Sequence, residues 1–143
     1  MIVLQASCVA IRGEAAGWRG LLIEGPPGSG KSSLALALID RGARLVGDDG
    51  VTAELRDGRL WASPHPRTAG LLEVRNVGLV NFEATSVPLA LIVRLDPDAP
   101  RFVEQAEKVT LAGASLPAIA LWPDSPVLAL RAERALALYG LVW

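Results

Sequence analysis

A single cysteine and a single histidine, Cys8 and His65, deny this chain both a disulfide framework and a zinc-ligand set. Cys8 reads as core filler, and its isolation suits a reducing cytoplasm. Charge is no more than balanced: 14 basic against 15 acidic residues leave a formal charge of −1, which argues against a nucleic-acid surface or an acidic-lipid anchor. No apolar run approaches the ~20 residues that span a bilayer, and no charged start leads into an apolar stretch of signal type. A cytoplasmic protein without membrane contact is expected. Internal repeats and low-complexity tracts are also missing. What the chain does have is length, 143 residues, and apolar content, 51%. That suffices for one domain, residues 1–143, burying about two-thirds of its unfolded surface.

Against that plain background, Gly25-Pro26-Pro27-Gly28-Ser29-Gly30-Lys31-Ser32 fills every fixed position of the phosphate-loop (Walker A) pattern G-x-x-x-x-G-K-[ST]. Its context is the one the chemistry requires. Gly20-Leu21-Leu22-Ile23 reads as a strand, the glycines follow, and Ser32 to Arg41, with Ser33 in its first turn, reads as a helix. Glycines let the backbone turn tightly and aim successive N–H groups inward, while the helix start adds partial positive charge where phosphate oxygens would sit. Lys31 is placed to reach the β- and γ-phosphates of a nucleotide triphosphate such as ATP, and the Ser32 hydroxyl to ligate a bridging Mg2+. A glycine-rich turn that merely caps a helix is the bland alternative.

Along the rest of the chain, Ile2 to Ile11 and Trp18 to Glu24 read as strands joined through Gly13 to Gly17. Gly42 offers a helix stop, and Arg44 to Gly47 reads as a short strand ending at Asp48-Asp49. Val51 to Leu55 and Arg59 to Ala62 flank the tight-turn pair Asp57-Gly58. Pro64-His65-Pro66 marks an irregular loop; Leu71 to Val80 and Val87 to Leu95 read as further strands, the latter stopped by Pro97 and Pro100. Val109 to Leu111 and Ala118 to Leu121 can pair through Gly113-Ala114, and Ser125-Pro126 opens a helix to Tyr139, with Gly140 beyond its end. So much strand after the first helix points to an α/β fold with a mixed sheet and flanking helices, not to a simply alternating kinase.

Ligands of open α/β sheets gather at the carboxyl ends of strands, so Asp48 and Asp49 are expected to face the crevice of the phosphate loop. Adjacent residues on an extended segment leave on opposite sides, so the pair must divide its labour. Either carboxylate could serve Mg2+ through water or accept a proton from an attacking hydroxyl, and a plain Asp-Asp-Gly turn is the structural alternative. Glu73 and Arg75 interrupt an apolar segment, as a solvated strand face or as site residues. His65, between two prolines, reads as an exposed loop residue, and Trp122 and Trp143 as packing or subunit-contact residues.

Taken together, the phosphate loop, Arg41-Gly42-Ala43-Arg44-Leu45-Val46-Gly47-Asp48-Asp49 and Leu71-Leu72-Glu73-Val74-Arg75-Asn76-Val77-Gly78 resemble the catalytic domain of HPr kinase/phosphorylase, the bacterial enzyme that phosphorylates a serine of the phosphocarrier HPr. The resemblance runs through most of the chain. It implies that Lys31 contacts phosphate, that Ser32 and Glu73 help hold Mg2+, and that Asp49 is the proton acceptor beside Asp48. Arg101 falls in register with a catalytic arginine of the family, counting back from Leu116-Pro117. Two departures stand out. Gln5 occupies the place of a family histidine, and Leu121-Trp122-Pro123-Asp124-Ser125-Pro126 replaces an arginine-bearing loop tied to dephosphorylation. The resemblance implies a short form of the family, without its amino-terminal domain, and the hexamers of longer members leave homo-oligomerisation open. The expectation is an ATP- and Mg2+-dependent protein-serine kinase acting on an HPr-like phosphocarrier, with weak or absent phosphorylase activity. A small-molecule kinase or NTPase, or a nucleotide-sensing regulator without turnover, are the rivals.

Overall fold

Three parallel strands carry the architecture of the computed structural model, which describes residues 1–13 and 17–143. In chain order the elements are β1 (Ile2–Leu4), β2 (Ser7–Gly13), β3 (Gly17–Glu24), α1 (Lys31–Asp40), β4 (Arg44–Gly47), β5 (Val51–Arg56) and β6 (Arg59–Pro64). Then follow β7 (Leu71–Val74), β8 (Gly78–Asn81), β9 (Val87–Leu95), β10 (Glu107–Leu111), β11 (Ala114–Leu121) and α2 (Leu128–Tyr139). Strand β9 pairs in parallel with β3 on one edge and with β11 on the other. The first residues of β9, Val87 and Pro88, pair instead with β6, antiparallel. One edge of β9 thus feeds two arms, β11-β10 and β6-β5-β1, which must diverge because they share a strand. Beyond β3 the sheet continues to β2 and β4, both antiparallel, and β7-β8 form a separate hairpin.

Divergence of the arms gives the central strands two buried faces. Leu21 and Ile23 of β3 point into one apolar cluster with Leu34 and Leu38 of α1 and Ala132 and Leu136 of α2. Leu22, between them, points into the other with Cys8, Val51, Leu60 and Ile92. Strict alternation is what a strand buried on both sides requires, and it explains the unbroken apolar runs. The alternation slips once, where the β3-β9 register shifts between Gly20 and Leu21. There Ala90 and Leu91 both face the helices, and the Ala90 carbonyl accepts a hydrogen bond from Leu141 N at 2.9 Å. Gly20 is needed at this crossing, since a Cβ would lie 2.7 Å from Val87 Cγ1. Both helices flank the same face and are tied together by an Arg41–Glu133 ion pair of 2.8 Å.

The mixed sheet, the strand at Val87–Leu95 and the Asp57-Gly58 hairpin agree with the sequence expectations. Four boundaries differ. The first strand breaks at Gln5 and Ala6, because β1 pairs with β5 in one arm while β2 pairs with β3 on the opposite side of β9. The stretch 71–80 folds back on itself, with Asn76 at φ 68° doing the work expected of a turn glycine. The β10-β11 turn centres on Ala112-Gly113, one residue earlier than expected. Helix α2 begins at Leu128, because Ser125 closes a turn first: its Oγ accepts Val127 N at 3.2 Å and its carbonyl accepts Leu128 N at 3.3 Å. Of the expected Gly13–Gly17 connection, residues 14–16 lie outside the described residues. Among the described residues no helix is long and apolar enough to cross a membrane.

Cys8 is completely buried in the second cluster, and burial alone pushes its thiol far above the ordinary range. Ellman's reagent is therefore expected to leave the native protein unmodified, at neutral and mildly alkaline pH alike, and to titrate its single thiol only after denaturation. Rapid labelling of the native protein would show that this cluster is open to solvent.

Candidate active site

The carboxyl end of β3 delivers Gly25, and the loop it opens closes at Gly30, which caps α1 from a left-handed conformation at φ 99°. Gly28 is left-handed too, at φ 77°, and in neither place would a Cβ meet any atom within 4 Å. Conformation, not space, demands glycine there. No side chain caps α1, so the N–H groups of its first turn are available to an anion. Ser29 N donates to Pro26 O at 3.1 Å, and the buried Ser29 hydroxyl has no partner among the described residues. Lys31 folds back over the loop, its Nζ donating to Gly25 O at 2.8 Å and Pro26 O at 3.2 Å. Among the described residues carbonyls alone satisfy this cation, and phosphate oxygens would compete for it strongly.

Across the crevice, β4 ends at Asp48, whose side chain is 8% exposed. Its Oδ1 accepts from Ser7 Oγ at 2.8 Å and from Ser32 Oγ at 2.7 Å, and its Oδ2 accepts from Glu73 N at 3.3 Å. One carboxylate therefore joins β2, α1 and β7. Asp49 is exposed and sits at φ 54°, an uncommon conformation that an aspartate tolerates better than most residues. The left-handed turn replaces the extended geometry assumed from sequence, and it separates the pair by burial while both still line one cavity of about 200 Å3.

Pro27, Gly28, Gly30, Lys31, Ser32 and Ser33 form the loop side of that cavity. Asp48, Asp49, Ser7, Glu73 and Arg75 form the other side. Gly25, Pro26 and Ser29 support the loop without lining the cavity. Arg101 stands apart, in a separate cavity with Pro100, Trp122 and Arg131. His65 accepts Arg67 N through Nδ1 in its exposed loop, and neither it nor the exposed Gln5 lines the site. Sequence reasoning passed over Ser7. A small hydroxyl in the otherwise apolar run Ala6-Ser7-Cys8-Val9-Ala10, fully buried, was the available signal, since a buried hydroxyl needs a partner.

Among the described residues no cluster of three or more His, Cys, Asp or Glu side chains could hold a metal by itself. Ser32 and Asp48 at 2.7 Å, with Glu73 lining the same cavity, are nevertheless hard oxygen donors, and they suit a Mg2+ that takes its other ligands from water and phosphate. Chemically, the arrangement can cradle an anionic phosphate chain, with two exposed carboxylates, Asp49 and Glu73, on the side opposite the loop.

Residues 5–86 match the family model described as the HPr Serine kinase C-terminal domain. Among curated proteins, the HPr kinase/phosphorylase of Streptococcus thermophilus is 36% identical over 114 residues, 70% of this chain and 37% of that protein. The HPr kinase/phosphorylase of Clostridium botulinum is 48% identical over 62 residues, 43% of this chain and 20% of the relative. The chain thus spans well under half the length of these relatives. A solved structure, that of the Hpr(Ser) kinase/phosphatase from Coxiella burnetii, superposes with a TM-score of 0.80 at 21% identity, covering 96% of this chain and 95% of that one. At that identity the likeness is one of fold.

A charge-assisted contact from Lys31 to a bound phosphate would be worth roughly 10- to 100-fold in affinity. Calorimetry of Lys31→Ala with Mg2+ and ATP is expected to show a loss of that size, with the circular dichroism spectrum unchanged. Wild-type affinity in the variant would mean that this loop holds no phosphate.

Proposed function

The chain belongs to the HPr serine kinase C-terminal domain family, and from that premise we propose that it is an ATP- and Mg2+-dependent protein-serine kinase whose substrate is HPr or a related phosphocarrier. The observation that carries the reading is the convergence of Lys31, Ser32, Asp48, Asp49 and Glu73 on one cavity at the carboxyl edge of the sheet. Loop N–H groups and the start of α1 hold the β- and γ-phosphates, and Lys31 turns from its carbonyls to the transferred group. Asp49, exposed at the mouth, is reached by a protein substrate and accepts the serine proton as the hydroxyl attacks. Asp48 is a positioning residue: it fixes Ser32, and through Glu73 N it fixes the β7-β8 hairpin. Ser32 and Glu73 would hold Mg2+, which when bound supplies charge neutralisation on the phosphate oxygens. Most of the rate enhancement then comes from positioning and electrostatics. Arg101 lies outside the cavity and receives no role in the transfer step. The setting is cytoplasmic.

The relatives are named for a phosphorylase as well as a kinase. In this chain we infer a strong bias toward phosphorylation, because Gln5, where the family carries a histidine, cannot become a cation and does not line the cavity. The segment 121–126 also carries no arginine.

Purified protein given labelled ATP, Mg2+ and HPr is expected to form phosphoserine. The same protein given phosphoserine-HPr and saturating inorganic phosphate is expected to release pyrophosphate far more slowly. Absence of phosphoserine would defeat the kinase reading. Comparable rates in the two directions would defeat the bias and assign the missing work to another group of the site, with Arg75 first in line.

A further inference from the structure

A second surface lies along the same sheet edge, outside the phosphate cavity. Between α2 and the segment 96–106 runs an apolar groove of about 410 Å3, floored by Ile119, Leu121 and Ala135 and walled by Val103, Leu130 and Leu138. Its geometry is held: Tyr139 donates its hydroxyl proton to Val103 O at 3.0 Å, and Trp122 Nε1 donates to Ala99 O at 2.6 Å. The fold does not use its walls as core. Helix α2 buries Leu128, Ala132, Ala135 and Leu136, whereas Leu138 is 75% exposed, as is Phe102 next to Arg101. Contiguous apolar exposure of this kind marks interaction surfaces.

Three guanidinium groups, Arg101, Arg131 and Arg134, rim the groove. None has a carboxylate within ion-pair distance among the described residues: the three ion pairs found there join Arg41 to Glu133, Arg56 to Glu54 and Arg94 to Glu107. The groove's lining includes no carboxylate among the described residues, so its rim is locally basic in a chain of formal charge −1, although Asp96, Asp98 and Glu104 stand elsewhere in the segment 96–106 and Arg131 also lies over the Trp122 ring at 5.6 Å. A partner that fits must bring carboxylates beside apolar side chains. Position narrows the partner further. Strands β3, β9 and β11 lie side by side and point the same way, so the groove at the end of β11 begins about two strand spacings, roughly 10 Å, from the phosphate loop at the end of β3. Asp96 N, just past β9, donates to Leu121 O at 3.0 Å, which fixes the two strand ends together.

We propose that this arginine-rimmed groove docks an acidic amphipathic segment of the protein substrate while its serine occupies the phosphate cavity. The proposal rests on the protein-kinase reading above. It assigns Arg101, Arg131 and Arg134 to substrate capture, a role that changes KM for the protein and leaves the chemical step alone.

The test is steady-state phosphorylation of purified HPr by wild-type protein, by the double variant Arg131→Glu, Arg134→Glu, and by Leu138→Ser. Expected are a KM for HPr raised about tenfold or more in the double variant, with kcat and KM for ATP unchanged, and a smaller rise in Leu138→Ser. Wild-type KM for HPr should climb with sodium chloride, a readout that stands even where a variant melts early. An unchanged KM in folded variants, or a salt-independent wild-type KM, overturns the proposal. Self-association of the wild type that the variants abolish, read by sedimentation, gives the groove to a second copy and overturns it too. No transfer to HPr by the wild type overturns the kinase reading itself, and this proposal with it.

Discussion

A buried carboxylate must be surrounded by donors, and at Asp48 the donors come from three elements distant in sequence: Ser7 on β2, Ser32 on α1 and the backbone of Glu73 on β7. Hydrogen bonds to a charged group are worth about 1.5–3 kcal/mol each, and leaving one unmade costs a similar amount. These three contacts therefore act as a joint. They set the depth of the phosphate loop's helix against the sheet, the position of the β7-β8 hairpin, and the point at which the chain turns out of β4. Asp49 is left exposed because Asp48 is held in. The left-handed turn between them is the backbone's way of sending one carboxylate to structure and the next to solvent.

The sheet supplies the second constraint. Because β3, β9 and β11 are parallel, their carboxyl ends bring three connections to one edge: the phosphate loop, the segment 96–106 and the entry to α2. The first builds the cavity and the other two build the groove. Under the proposed function the substrate is a protein, larger than any nucleotide, and surface near the reacting serine would be needed to hold it. The apolar exposure on α2, and the arginines beside it that have no ion-pair partner among the described residues, become intelligible in those terms, whereas the core has no use for either.

How much of this could be read from the sequence depends on how local each signal is. The phosphate loop, the strand before it and the helix after it were legible because glycine, lysine and serine stand at fixed spacing inside one continuous segment. Val87–Leu95 was legible because a strand buried on both faces writes an unbroken apolar run, closed here by prolines. Pairing partners are not local, so the passage of the chain at Gln5 from the β5 arm to the β3 side of the sheet left no mark in a continuous apolar stretch. The β7-β8 turn was hidden because Asn76 fills a place where glycine is the usual signal. Ser7 was hidden because its partner lies 41 residues away. Burial divides Asp48 from Asp49, and burial is a property of the fold. The alignment that put Arg101 in register with a catalytic arginine likewise carried no information about the groove its side chain lines.

In the proposed division of labour, Asp48 builds the site and Asp49 reacts in it. Single-turnover transfer to HPr at saturating Mg2+ and ATP, run beside calorimetric nucleotide affinity, separates the two in the variants Asp48→Asn and Asp49→Asn. An amide at 49 cannot accept the serine proton, so affinity should hold while the transfer rate falls about 10²- to 10⁴-fold. An amide at 48 leaves one uncharged acceptor oxygen where a carboxylate served three donors, so affinity and melting temperature should fall first, with the bound fraction still transferring phosphate. Wild-type transfer by Asp49→Asn, together with loss of chemistry at undiminished affinity in Asp48→Asn, would contradict the account.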